Sequence, residues 1–201
     1  MRIIGGESRG RRLKAPRGRS VRPTSDRTRE ALFNMLADRV AGSRFLDLFA
    51  GVGAVGLEAL SRGAERVVMV EASERAARAI EDNAGAVGVR ERMTLIRGKA
   101  VPAVRGLAAA GAKFDVVFMD PPYRDRKALE QALAEVARPE GILTPDAVVV
   151  LEHSAHAAPP ADAGILVAER SRRFGEGALT FFRPRSAEEP TDGQSGVSGQ
   201  L

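Results

Sequence analysis

The sequence predicts an α/β protein: a doubly wound, seven-stranded, mostly parallel sheet with an antiparallel last strand, preceded by a small basic N-terminal hairpin and helix. Three observations lead there. Short apolar runs of strand length alternate with segments of helical period from residue 44 onward. The central runs are apolar at nearly every position, as strands covered by helices on both faces must be. Near the end, two strand-like runs follow one another with no helix between them, which predicts an antiparallel hairpin. With 201 residues, 44% of them hydrophobic and 28% charged, the chain is long and apolar enough for one sizeable core.

The elements follow in order. Arg2–Ile4 and Arg12–Lys14, joined by a glycine-bearing stretch, can pair as a small hairpin. Ser25 or Asp26 can cap a helix whose apolar face is Leu32, Met35, Leu36 and Val40. Arg44–Phe49 is a buried strand, then a glycine-rich turn and a helix ending near Arg62–Gly63. Val67–Val70 is the second strand, and Ser73 caps a helix that Gly88 stops. Met93–Ile96, an Ala-rich helix to Gly111, and Phe114–Met119 come next. Leu129, Ala132, Leu133 and Val136 recur at helical spacing within 126–136. Ala147–Leu151, Ile165–Ala168 and Ala178–Phe182 complete seven strands. This divides the chain into a basic extension (1–43), a main domain (44–183) and a tail (184–201) rich in Ser, Glu, Gly and Gln, expected to be disordered.

Charge is distributed unevenly. Lys and Arg number 31 against 26 Asp and Glu, for a net charge of +5. Residues 1–29 hold ten basic side chains and two acidic ones, a net +8, which leaves −3 for the rest. A cationic arm on a mildly acidic body is either a solvated tail or a surface for a polyanion. The absence of cysteine removes disulfides, thiolate metal sites and cysteine nucleophiles. His153 and His156, past the fifth strand, have no third ligand nearby and read as surface-loop residues, so no metal is expected. No apolar run approaches the roughly 18–20 residues that span a bilayer, and the N-terminus lacks a signal-peptide stretch. The expectation is a cytoplasmic monomer without membrane contact.

Two motifs carry chemistry. The first is Phe45-Leu46-Asp47-Leu48-Phe49-Ala50-Gly51-Val52-Gly53-Ala54-Val55-Gly56, with Glu71 ending the second strand twenty positions after Gly51. Its glycines let backbone approach a ligand at the carboxyl edge of the sheet, and an acid there can accept from both hydroxyls of a ribose. Read literally it is also the dinucleotide pattern, so a nicotinamide-dependent oxidoreductase competes, as does a plain turn with packing glycines. The second motif is Asp120-Pro121-Pro122-Tyr123 at the end of the fourth strand. Consecutive prolines remove two backbone donors and stiffen the chain, leaving carbonyls to face the cleft. A carboxylate, a fixed carbonyl and an aromatic ring can receive a planar group bearing an exocyclic NH₂. A rigid exit turn is the plainer alternative.

Asp120-Pro121-Pro122-Tyr123 together with Asp47-Leu48-Phe49-Ala50-Gly51 resembles the amino-group methyltransferases that use S-adenosylmethionine. Within them, Arg2-Ile3-Ile4-Gly5-Gly6, Arg9-Gly10-Arg11, the run Arg22-Pro23-Thr24-Ser25-Asp26-Arg27-Thr28-Arg29-Glu30-Ala31-Leu32-Phe33-Asn34-Met35-Leu36, and Gly56–Ala64 are similar to the RsmD family. The resemblance covers about residues 1–183 and implies a Rossmann-like class I methyltransferase acting on the N2 amine of a guanine in 16S ribosomal RNA, within the 30S subunit or an assembly intermediate. It implies S-adenosyl-L-methionine as cofactor, held by Asp47, Phe49, Ala50, Gly51, Gly53, Glu71, Ala72 and Asp120. It places catalysis on Asp120, Pro121, Pro122 and Tyr123, with Tyr123 stacked on the base. RNA contacts are expected from Arg9, Arg11, Arg12, Lys14, Arg22, Arg27, Arg29 and Asn34. Two positions depart from the family: Val52 where Ser is usual, and Lys99 where related enzymes place an acid near adenine. Adenine-N6 methylation of DNA or RNA shares the four-residue motif and is the nearest competing chemistry.

Overall fold

The computed structural model describes residues 1–15, 26–122 and 126–185. Its elements are α1 (Asp26–Leu36), β1 (Arg44–Leu48), α2 (Ala54–Ser61), β2 (Arg66–Glu71), α3 (Glu74–Val87), β3 (Met93–Arg97), α4 (Ala100–Ala109), β4 (Phe114–Met119), α5 (Arg126–Val136), β5 (Leu143–Ser154), β6 (Asp162–Ala163), β7 (Leu166–Phe174) and β8 (Gly177–Pro184). They form one sheet of order β3-β2-β1-β4-β5-β8-β7-β6. The β1–β2, β1–β4, β2–β3 and β4–β5 pairings are parallel, and β8 runs antiparallel to both β5 and β7. The seven expected strands are present, and β6 adds a two-residue eighth.

Side-chain alternation sorts the core into two layers. Phe45, Val67, Met69, Val116, Phe118, Val148, Val150, Leu179 and Phe181 meet α1, α2 and α3 on one face. Leu46, Leu48, Val70, Val117, Met119, Val149, Leu151 and Phe182 meet α4 and α5 on the other. Each fully buried Leu or Phe contributes roughly 1.5–3 kcal/mol. Gly56 is where α2 comes closest to β2, since a Cβ there would lie 2.8 Å from the Met69 methyl. Chain order reverses between β1 and β4, and such switch points open a crevice at the carboxyl ends of the strands.

The N-terminal segment is docked rather than trailing. The expected hairpin is a single antiparallel bridge, Arg2 to Arg12, with Ile3 N donating to Arg11 O and Leu13 N to Met1 O. Ile3 and Leu13 are buried in the same cluster as α1 and α2. Glu58 of α2, fully buried, accepts from Ile4 N at 2.8 Å and Gly5 N at 2.7 Å. Ser61 Oγ accepts from Ser8 N and donates to Gly5 O. On α3, Asn83 Oδ1 accepts from Lys14 N at 2.7 Å while its Nδ2 donates to Lys14 O and to Val52 O of the glycine loop.

Strand ends differ from expectation mainly past β4. β5 continues to Ser154 because β8 pairs with it through Ser154–Gly177. His153 is therefore a strand residue, 3% exposed, with Nε2 2.7 Å from Thr180 Oγ1, and not a surface-loop residue. His156 is exposed beside Glu176. Of residues 184–201, expected to be a disordered tail, all but Pro184 and Arg185 lie outside the described residues.

Candidate active site

The site grows out of parallel register. Leu48 pairs with Val70 and with Met119, and Met119 pairs with Leu151. The residues that follow these levels at the carboxyl edge are Phe49, Glu71, Asp120 and Glu152, and Glu71 pairs with Arg97 of β3. Alternation assigns Asp47, Glu71, Asp120 and Glu152 to the face covered by α1–α3, since Phe45, Met69, Phe118 and Val150 already lie there. Four acidic residues thus share one face across the switch point.

The glycine loop turns away from β1 by leaving ordinary backbone space. Phe49, a non-glycine residue, has φ 79°, and Gly51 and Gly53 have φ 57° and 79°. Phe49 N and Ala50 N both donate to Val70 O, which fastens the turn to β2. Glu71, half-buried, accepts from Gly51 N through one oxygen and from Ser73 N through the other, each at 2.7 Å. Two backbone donors aim this carboxylate, and each oxygen keeps acceptor capacity for a ligand hydroxyl. Gly98 N donates to Glu71 O at 2.9 Å, so the β3–α4 loop closes against the same strand end.

Asp47 lies beneath the glycine loop. It is 1% exposed, and its Oδ2 accepts from Gly56 N at 3.0 Å, in the first turn of α2. Burial pushes its carboxyl up to about 7 against the lowering pull of that hydrogen bond, and the Glu71 charge adds to the rise. This side chain braces the loop from below. It also occupies the start of α2 where a dinucleotide's pyrophosphate would sit, so a phosphate there would meet a carboxyl group. A row of acids suits a ligand that carries positive charge and hydroxyl donors. S-adenosylmethionine meets both conditions.

Asp120 is half-buried, Pro121 buried and Pro122 exposed at the end of β4. Tyr123 lies outside the described residues, as does Arg22. Ala50 and Gly53 are buried, Gly51 is half-buried and Ala72 exposed. No cluster of three or more metal-ligating side chains occurs among the described residues.

The family model described as conserved hypothetical protein 95 matches residues 1–183. The Escherichia coli protein named ribosomal RNA small subunit methyltransferase D is 34% identical over 196 residues, covering 96% of this chain and 93% of that one. The chain belongs to the RsmD family. A Thermus thermophilus protein of solved structure superposes with a TM-score of 0.78 at 35% identity, covering 91% of this chain and 99% of that one. A methyltransferase solved in complex with S-adenosylhomocysteine shares the fold alone, at 14% identity and a TM-score of 0.62, over 78% of this chain and 49% of that one. The architecture is that of class I S-adenosylmethionine-dependent methyltransferases.

Within this RsmD-family fold the basic candidates divide. Arg9, Arg11, Arg12, Lys14, Arg27 and Asn34 are exposed. Arg29 is not available to RNA: it is fully buried, its Nη2 donates to Arg2 O at 2.6 Å and lies 3.1 Å from Asp26, and its Nε is 3.6 Å from Glu58. The N-terminal segment closes over it, a contact between residues far apart in sequence. Val52 is buried beneath the loop, and Lys99 is an exposed residue at the start of α4. Sequence reasoning passed over Glu152, Glu58 and Asn83. The signal for Glu152 was present: a lone acid directly after a run of five apolar residues at the carboxyl edge.

Proposed function

We propose that this protein transfers the methyl group of S-adenosylmethionine to the exocyclic N2 amine of a guanine in small-subunit ribosomal RNA. The observation that carries the reading is that Glu71 and Asp120-Pro121-Pro122 stand at the ends of the two strands that flank β1 at the switch-point crevice, with Asp47 of β1 set against the first turn of α2. The family relative named for small-subunit ribosomal RNA supports the substrate class.

S-adenosylmethionine supplies an electrophilic methyl carbon on a positively charged sulfur. Glu71 accepts hydrogen bonds from the ribose hydroxyls, and the loop Phe49–Gly53 presents backbone to the amino-acid end. Asp120 and the Pro121 carbonyl accept the two N–H bonds of the guanine amine and aim its lone pair. The carbon–sulfur bond breaks as the nitrogen–carbon bond forms, and one amine proton leaves to Asp120 or to water. An aryl amine is a weak nucleophile, so alignment dominates, and orientation of this kind can supply roughly 7–11 kcal/mol. The Asp120 charge steadies the developing positive nitrogen. Tyr123, next in sequence, stacks on the extruded base. Arg9, Arg11, Arg12, Lys14, Arg22 and Arg27, with Asn34, hold the RNA backbone.

Methyl transfer from radiolabelled S-adenosylmethionine to small-subunit rRNA, followed by nucleoside mass spectrometry, is expected to give N2-methylguanosine. Asp120→Ala should lower the rate at least about a hundredfold while leaving RNA affinity within a few-fold. Recovery of N6-methyladenine and no modified guanine would transfer the assignment to adenine.

A further inference from the structure

Asp-Pro-Pro-Tyr grips an amine without distinguishing the N2 of guanine from the N6 of adenine. A further buried acid follows one strand away. Glu152 ends an otherwise apolar run of β5 and is 7% exposed. Met119 pairs with Leu151, the last paired level of β4 and β5, so Asp120 and Glu152 each follow directly on strands that lie about 4.8 Å apart. Val150 and Phe118 belong to the same layer, so both acids project to the crevice face. On its other side Glu152 pairs with Leu179, fully buried, which leaves the Asp120 side as the polar one. Burying a carboxyl group is costly, and an apolar residue would serve the strand equally well.

We propose that Glu152 is a specificity-determining residue whose carboxylate accepts the N1–H of the target guanine, next to the N2 amine held by Asp120 and Pro121. This rests on the guanine reading above and says how that base is chosen. Guanine presents N1–H and N2–H₂ as adjoining donors on its Watson–Crick edge, and two adjacent acids match them. Adenine presents a lone pair at N1 beside its N6 amine, so a carboxylate at that point repels it. Glu152 takes no part in bond making.

The test uses 2-aminopurine, which keeps the N2 amine and replaces the N1–H with a lone pair. Once the methylated position is mapped, rRNA is assembled by ligation with guanine or 2-aminopurine at that position, and kcat/KM is measured for each. Wild-type protein should favour guanine by about a hundredfold or more. Glu152→Gln, whose amide can donate to N1, should narrow the ratio to about tenfold or less, and Glu152→Ala should narrow it through loss of the repulsion. The ratio is internal to each protein, so a merely structural role would lower both rates and leave it unchanged. A ratio within about twofold of wild type in whichever variant folds by circular dichroism overturns the proposal. If wild-type protein forms no methylguanosine on unmodified rRNA, the guanine reading itself falls, which is a separate outcome.

Discussion

Two carboxylates are buried on or against α2, and they are solvated by the protein in different ways. Glu58, fully buried, accepts from Ile4 N, Gly5 N and Arg62 Nε at 2.7–2.9 Å and faces Arg29 Nε at 3.6 Å. Asp47 of β1, against the first turn of the helix, accepts from Gly56 N, and burial pushes its carboxyl up to about 7. The contrast teaches that burial alone does not set the behaviour of an acid. Donors supplied by a docked segment replace water for one, and a single amide does so only partly for the other. Glu58 is a fastener; Asp47 is a brace whose charge responds to its surroundings.

Breaking the fastener should have the largest effect. Glu58→Ala leaves buried Arg29 without one of its two carboxylate neighbours and three donors unmatched, and is expected to destabilise the protein by about 3–5 kcal/mol in urea unfolding. A loss below about 1 kcal/mol would mean that the N-terminal segment docks without help from Glu58, through Ile3, Leu13, Ser61 and Asn83.

The brace gives a pH signature. The unfolded chain ionises this acid near pH 4 and the folded chain near 7, so between them the folded state holds the additional proton. Stability contributed by Asp47 is therefore present below pH 4 and lost as the pH rises to 7, by at most about 4 kcal/mol. Asp47→Asn keeps an acceptor for Gly56 N and should flatten that part of the stability profile. A profile between pH 5 and 7 that is identical in both proteins would show that the carboxyl is already ionised. A bound cation should favour the ionised form, so S-adenosylmethionine binding is expected to release protons between pH 6 and 7, measurable as buffer-dependent heats.

Asn83 joins the two regions, holding Lys14 on one side and Val52 of the loop on the other. Asn83→Ala should cost about 1–3 kcal/mol and loosen the segment around Lys14, seen as faster proteolysis there. Unchanged cleavage would place the docking on Glu58 and Ser61 instead.

Local signals carried much of the fold into the sequence. α3 was bounded correctly because Ser73 accepts from Ala76 N and Gly88 closes the helix at φ 82°. β4 and α5 were read with their observed limits, since apolar period and turn residues coincide there. β7 was read too short. Its charged stretch Glu169-Arg170-Ser171-Arg172-Arg173 is extended because β8 pairs with it, while Arg170 lies over the Phe181 ring and donates to Met35 O. Arg29 looked like any other cation of the arm, and only the docking of residues 2–5 against α2 removed it from solvent.

By itself, then, the sequence determined the alternating α/β architecture, the glycine loop, Glu71 and Asp120 at strand ends, and the cationic arm, because period, caps and turn chemistry act over a few residues. Tertiary structure decided which acids share a face, that Asp47 is sealed while Glu71 is presented, that Arg29 is a strut, and that Glu152 is buried on the strand next to the one Asp120 follows. Those outcomes depend on strand register and on which surface a distant segment covers, and both are set by packing between residues far apart in the chain.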